Sequence, residues 1–279
     1  MQSIEIVDKK FLLRVISFAA LFVLTDLTLT MAGPFLLEQV IIDFIIGIGM
    51  GFVFGLIFTQ LYYRRLVRIG IGWLALFIIQ WFTTMIEGYF FTTILGEALL
   101  LAAAMFGLLI SFLHALFIGF IFPPNSTDRS LGTEIKSYFA ERPWYDSLWR
   151  FVLTAVLYLV IYYGIGTLIS PIVLPFYLDM GTGLTVPPVW LILVVEISRG
   201  LLYILALLPL LVSLKVETKA VYLLLAFALY LPSIAMFLPN PIFPVLLRII
   251  HGLFEILIDS LLIAAVIILL LKPGMMRSK

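Results

Sequence analysis

The chain has 279 residues, 63% of them hydrophobic and 12% charged, with a mean hydropathy of +1.21 and a net charge of +1. Soluble domains run to about 45–50% apolar and about 25% charged residues, and a water-soluble core of this size does not bury so much apolar surface. The composition therefore describes an all-α, polytopic membrane protein. Without a basic surplus, no nucleic-acid partner is expected. The absence of cysteine excludes disulfides, thiolate metal sites, cysteine nucleophiles and thiol redox chemistry.

Glu5, Asp8, Lys9 and Lys10 open the chain, and a long apolar run follows from Phe11. A signal-peptide core is about 7–15 residues long, so this run reads as a retained first span. A hydrocarbon layer about 30 Å thick needs about 20 helical residues. Marking apolar runs against charged and Pro/Gly breaks predicts eight spans: 11–33, 40–62, 69–94, 98–122, 148–170, 188–212, 220–238 and 244–271. The runs are continuously apolar, without the alternation of a membrane barrel.

Orientation follows from the basic residues. Of 17 Lys and Arg, Arg199 and Arg248 lie within spans, and the other fifteen all fall on the side shared by both termini and the loops after spans two, four and six. The positive-inside rule then predicts cytoplasmic termini, in a bacterial- or archaeal-type cytoplasmic membrane. The largest connection, 123–147, carries Leu131, Ile135, Tyr138 and Phe139 at helical spacing before Pro143, which predicts a short helix on the inner leaflet. It divides the chain into a first four-span half (1–122), a linker (123–147) and a second four-span half (148–279). Leu13-Arg14-Val15 and Trp149-Arg150-Phe151 open the two halves alike, and Gly51 and Gly200 recur in the spans that follow, so a 4+4 repeat is one possible arrangement.

Ionisable groups within spans cost roughly 2.5–3.5 kcal/mol or more each at the bilayer centre, and each needs a reason. The candidates are Asp26, Asp43, Glu87, His114, Glu196, Arg199, Arg248, His251, Glu255 and Asp259. Taking odd spans outward and even spans inward places Glu87, Glu196, Arg248, His251 and Glu255 in the outer half. Arg199 falls between the outer half and the middle, and Asp259 just past the middle. On span eight, Arg248, His251, Glu255 and Asp259 fall on an arc of about 80° at about 100° per residue. Lipid cannot satisfy such a stripe, so it must face the bundle interior or a wet cavity. Glu196 and Arg199, at i and i+3 on span six, are the expected partners, with Glu87 from span three.

Six acids, Asp26, Asp43, Glu87, Glu196, Glu255 and Asp259, compete for two arginines, so not all are expected to be ionised together. Asp26, Asp43 and His114 each lack a same-face partner and read as helix-packing groups. Pro171–Pro188 is the longest outer connection, read as a plain loop, a lid or a re-entrant turn, and Pro209 and Pro232 predict kinks. Tyr158 and Tyr162, at i and i+4, are core or belt aromatics that can also offer hydroxyls to a cavity.

No phosphate-binding glycine loop, HExxH, GxSxG or CxxC is present. His251 and Glu255 alone make a poor metal site beside two arginines, and no cofactor is expected. Glu196-Ile-Ser-Arg199-Gly200, followed by His251 with an acid at i+4, resembles in part the CPBP (Abi) family of intramembrane proteases and prenyl-processing enzymes. Val195 stands where that family has its first glutamate, the Glu196-to-Arg199 spacing is one residue short, and the family's other histidine motif is missing. The resemblance carries no membership and no catalytic role.

Three functions fit. The first is a proton-coupled transporter or permease for a small anionic or amphipathic substrate, with Arg199 and Arg248 holding an anionic group. The second is an intramembrane enzyme acting on a lipid or membrane peptide, with His251 and Glu255 as base and acid. The third is a non-catalytic subunit whose polar stripe serves assembly. Expected partners are the bilayer, a small-molecule or lipid substrate, and either further copies of the chain or other members of a membrane complex.

Overall fold

A computed structural model describes residues 8–29, 37–93, 96–178, 183–240 and 243–272. Glu5, positions 179–182 of the 171–188 connection and two of the fifteen basic residues, Arg277 and Lys279, lie outside the described ones. Apart from one isolated bridge between Thr92 and Leu184, the regular structure among the described residues is helical. The elements are α1 (Lys9–Leu29), α2 (Leu37–Gln60), α3 (Arg65–Leu76) running through a π-helical segment (Phe77–Phe82) into α4 (Thr83–Phe91), α5 (Glu97–Ile121) and α6 (Leu131–Ala140). They continue with α7 (Trp144–Leu178), α8 (Val189–Ser213), α9 (Thr218–Phe237), α10 (Val245–Leu247), a second π segment (Arg248–Glu255) and α11 (Ile256–Leu271).

Seven of these helical stretches are long and apolar enough to cross a membrane: α2, α3 through α4, α5, α7, α8, α9, and α10 through α11. The chain is an integral membrane protein of many passes. The 21-residue α1 occupies the region of the first expected span and lies along α2. Its inward stripe, Phe11, Val15, Phe18 and Phe22, is nearly inaccessible. Helices from before and after the 123–147 connection pack on one another, α2 on α9 and α3 on α8.

Basic side chains tie one end of the bundle together. Arg68 donates to the carbonyls of Phe122 (2.9 Å) and Gly119 (3.4 Å), so it serves acceptors left open at the end of α5. Arg150 pairs with Asp146 at 2.8 Å and donates to the Leu270 carbonyl at 3.0 Å, which joins α7 to the end of α11. The helix expected in the 123–147 connection is α6. Its buried Tyr138 and its Glu134, 2.7 Å from Lys215, hold it against the end of α8, so part of its apolar face is covered by protein.

Two sequence expectations need correction. Span five does not end at 170. The helix runs on to Leu178 with Pro171 and Pro175 inside it, so the connection to α8 is much shorter than 171–188. Proline at 171 removes the N–H that the Thr167 carbonyl would accept, and the Ser170 hydroxyl donates to that carbonyl instead, at 2.9 Å. A neighbouring hydroxyl of this kind is what lets proline stay in a membrane helix. The second correction concerns span eight. The Arg248–Glu255 turns are π-helical, with i→i+5 bonding, so an extra residue enters each turn. The spacing of about 100° per residue that aligned four polar groups holds from Glu255 onward but not before it.

Candidate functional site

The polar residues of α4, α7, α8 and the last span meet around Arg199. Gly200 makes this possible: a Cβ there would lie 2.9 Å from the Ala155 Cα and 3.1 Å from its carbonyl oxygen, so α7 and α8 cross with backbones in near contact. That crossing sets the Arg199 guanidinium over the rings of Tyr158 and Tyr162, with centroids 5.9 and 5.7 Å away. Two carboxylates complete its surroundings, Glu196 at 2.9 Å from the same helix and Glu87 at 3.1 Å from α4. The Tyr203 hydroxyl accepts from it at 3.4 Å. Glu196 is fully inaccessible and Arg199 nearly so, which makes this a desolvated cluster rather than a surface ion pair.

The last span supplies the other half. His251 and Glu255 are joined directly through Nδ1 and a carboxylate oxygen. Gly252 lies beside them with Phe237 of α9 3.2 Å from where a Cβ would stand, so an aromatic ring packs closely on this glycine. That ring also meets His251 edge-on, with centroids 4.6 Å apart. One turn along, Asp259 has a buried Oδ1 without a hydrogen-bond partner.

Two cavities adjoin these groups. A narrow one of about 70 Å³ is walled by Glu87, Tyr158, Tyr162, Arg199, His251 and Asp259, among others. A wider groove of about 270 Å³ runs along α7 past Gly166, Ile169, Val173 and Leu174, faced by Phe91 and Ile192, and reaches His251 and Glu255. Tyr162 and His251 line both, so the polar chamber and the apolar groove are neighbours across those two side chains. The groove lies on a helix whose outward face, including Val156, Val160, Leu168 and Leu174, is uncovered by protein.

Of the seven residues expected to form a site, Glu87, Arg199, His251 and Asp259 line the narrow cavity, Glu255 lines the groove, and Glu196 sits behind Arg199. Arg248 is placed elsewhere. Its guanidinium reaches Glu38 at 3.3 Å and the Leu238 carbonyl at 3.1 Å, and it lines neither cavity. The π segment is the physical reason, because its wider turn moves Arg248 off the line of Glu255 and Asp259. Three participants were missed from sequence. Tyr203 carried a usable signal, four residues beyond Arg199 on one helix face. Ser233 and Thr84 had none, being ordinary hydroxyls in apolar runs that the packing brings to the cavity wall.

Asp26 and His114 form a separate contact, with Nε2 3.9 Å from Oδ1. Among the described residues no cluster of three or more His, Asp or Glu is arranged to hold a metal ion. Compared with protein-family models, with curated proteins and with solved structures, the chain finds no match.

Proposed function

We propose that this chain is a permease-like transporter of an amphipathic molecule, coupled to protons through the carboxyls and histidine around Arg199. The observation that carries the reading is the adjacency of two unlike spaces: a small chamber ringed with titratable groups and an apolar groove along α7, sharing Tyr162 and His251. An amphipathic molecule fits such a pair of spaces, with its apolar part along α7 and its polar part reaching past His251 into the chamber. Protons fit the chamber, because Glu87, Glu196, Glu255 and Asp259 outnumber the positive charges available to them. The reading includes eight spans, both termini on the cytoplasmic side and the chamber in the outer half of the bilayer. The fifteen-to-none distribution of basic residues supports that orientation.

The test is proton movement into dye-loaded proteoliposomes on adding cationic, neutral or anionic alkyl amphiphiles, scored as the difference from protein-free vesicles. The expected result is a protein-dependent signal with at least one class and its loss in Glu255→Gln. An unchanged signal in that variant overturns the coupling.

A second reading has its own observation. The direct His251–Glu255 pair is the arrangement in which a carboxylate orients an imidazole for proton transfer. On that reading the protein is an intramembrane enzyme that turns over a lipid or membrane peptide in detergent without any gradient. Gradient-independent turnover that vanishes in His251→Ala would select it over transport.

A further inference from the structure

Resting on the amphipathic reading above, we infer that the polar group of the bound molecule is a cation, an aliphatic ammonium, held at Asp259 and the aromatic wall of the chamber. The argument starts from where positive charge is already committed. Arg199 sits between Glu196 and Glu87, at 2.9 and 3.1 Å, and its remaining Nε is buried. Arg248 is held by Glu38 and the Leu238 carbonyl, away from both cavities. The anionic group that two arginines were expected to grip therefore meets a guanidinium already flanked by two carboxylates and a second one that is out of reach.

The balance of charge points the other way. Four carboxyls, Glu87, Glu196, Glu255 and Asp259, face one guanidinium and one imidazole. With every group ionised and His251 protonated, four negatives against two positives leave a formal charge of −2, and a neutral His251 makes it −3. Glu87 and Glu196 share Arg199, and Glu255 is paired with His251. Asp259 is the carboxylate left over: it lines the chamber and its Oδ1 accepts from nothing. A carboxylate without a basic partner of its own in a low-dielectric space is costly, and an incoming ammonium supplies the counter-charge.

The walls suit the same guest. Tyr158, Tyr162 and Phe237 face the chamber, and the two tyrosine rings already carry the Arg199 guanidinium on their faces. The apolar remainder of the molecule has the α7 groove. Gly166 lines the groove beside its polar end, with Glu255 Oε1 3.9 Å from where a Cβ would stand. A larger residue there would take up part of the groove next to Glu255.

The experiment uses the full chain in native membranes and a photoreactive dodecylamine, with photoreactive dodecanoate of equal length as its anionic counterpart. The expected result is labelling of the α7 segment 162–174 by the amine, competed by plain dodecylamine and not by dodecanoate. Asp259→Asn should weaken that competition by about tenfold or more, the effect of removing one partner of a desolvated charge pair. Asp259→Glu should restore it, which separates loss of charge from misfolding, and Gly166→Leu should reduce labelling without altering the thermal transition. Equal competition by dodecanoate, or full competition in a folded Asp259→Asn protein, overturns the cationic assignment. Absence of labelling by either amphiphile overturns it together with the amphipathic reading. Amine binding that depends on Asp259, in a protein that moves no protons, upholds the ligand class and removes transport alone.

Discussion

His114 and His251 each sit near a carboxylate within an apolar helix, but their surroundings differ in kind. His114 is completely inaccessible, stacked on Phe22 with centroids 4.5 Å apart and met edge-on by Phe18, and neither ring nitrogen has a hydrogen-bond partner. Neither cavity described above is lined by α1, α2 or α5. His251 keeps 18% of its side chain accessible, bonds Glu255 and borders both spaces. Both are histidines in an apolar span, and in sequence only His251 has acids at helical spacing on its own face. What separates a packing histidine from a chemically useful one is access, which depends on how neighbouring helices leave room.

The largest expected effect strikes the charged cluster as a whole. Arg199→Ala leaves Glu196 and Glu87 without a counter-charge, and breaking a buried pair in this way costs about 3–5 kcal/mol. Denaturation in detergent should show the loss, and adding Glu87→Gln with Glu196→Gln should recover most of it. Failure to recover would mean that Arg199 acts through its tyrosine contacts instead. The two histidines should then part company when each is changed to phenylalanine. His114→Phe should stay within about 1.5 kcal/mol of the parent, as a near volume-conserving core change with no hydrogen bond to lose. His251→Phe should lose every amphiphile response and, because it leaves the buried Glu255 without its partner, melt below the parent unless Glu255→Gln is added. Loss of that response in His114→Phe would erase the distinction between the two regions.

The smallest effect is expected at the Thr92–Leu184 bridge, near which Phe91 and Val186 line the groove. Thr92 and Leu184 form an antiparallel bridge, flanked by Thr93 N–H to Gly183 carbonyl and Thr185 N–H to Phe91 carbonyl bonds, both 2.8 Å. Such a pair has Cα atoms about 4.5 Å apart, within disulfide reach. Because the chain has no other cysteine, Thr92→Cys with Leu184→Cys can form only that bond within one chain. Oxidation should go to completion, read by thiol labelling, and slow amphiphile labelling of α7 without abolishing it. Unchanged labelling would place the entrance elsewhere along the helix.

Helical stretches were legible because a continuous apolar run has few other solutions in lipid. The charged residues worth attention were legible for the same reason, as groups lipid does not tolerate. Finer geometry was lost at identifiable places. Prolines 171 and 175 read as the start of a loop because the hydroxyl of Ser170, which serves the orphaned Thr167 carbonyl, leaves no periodic mark in the sequence. Arg248 read as part of the stripe because nothing in Arg248-Ile-Ile-His251-Gly-Leu-Phe-Glu255 announces a π turn. Its partner Glu38 lies outside the expected spans, where the sequence shows no sign of a counter-charge for a residue of the last span.

The length of α7 sets a condition on the surrounding lipid. Its 35 residues, at about 1.5 Å each, measure about 52 Å, against a hydrocarbon layer of about 30 Å. Even at a tilt of about 40°, the upper end of the observed range, the helix spans about 40 Å along the normal. Some of its turns must therefore leave the acyl chains and enter the headgroup layer. The exposed Trp144 and Tyr145 at one end suit that layer, and the Ser170–Leu174 wall of the groove stands near the other. How deep the groove is immersed thus depends on the thickness of the host bilayer, and shorter-chained lipids would leave more of it among headgroups.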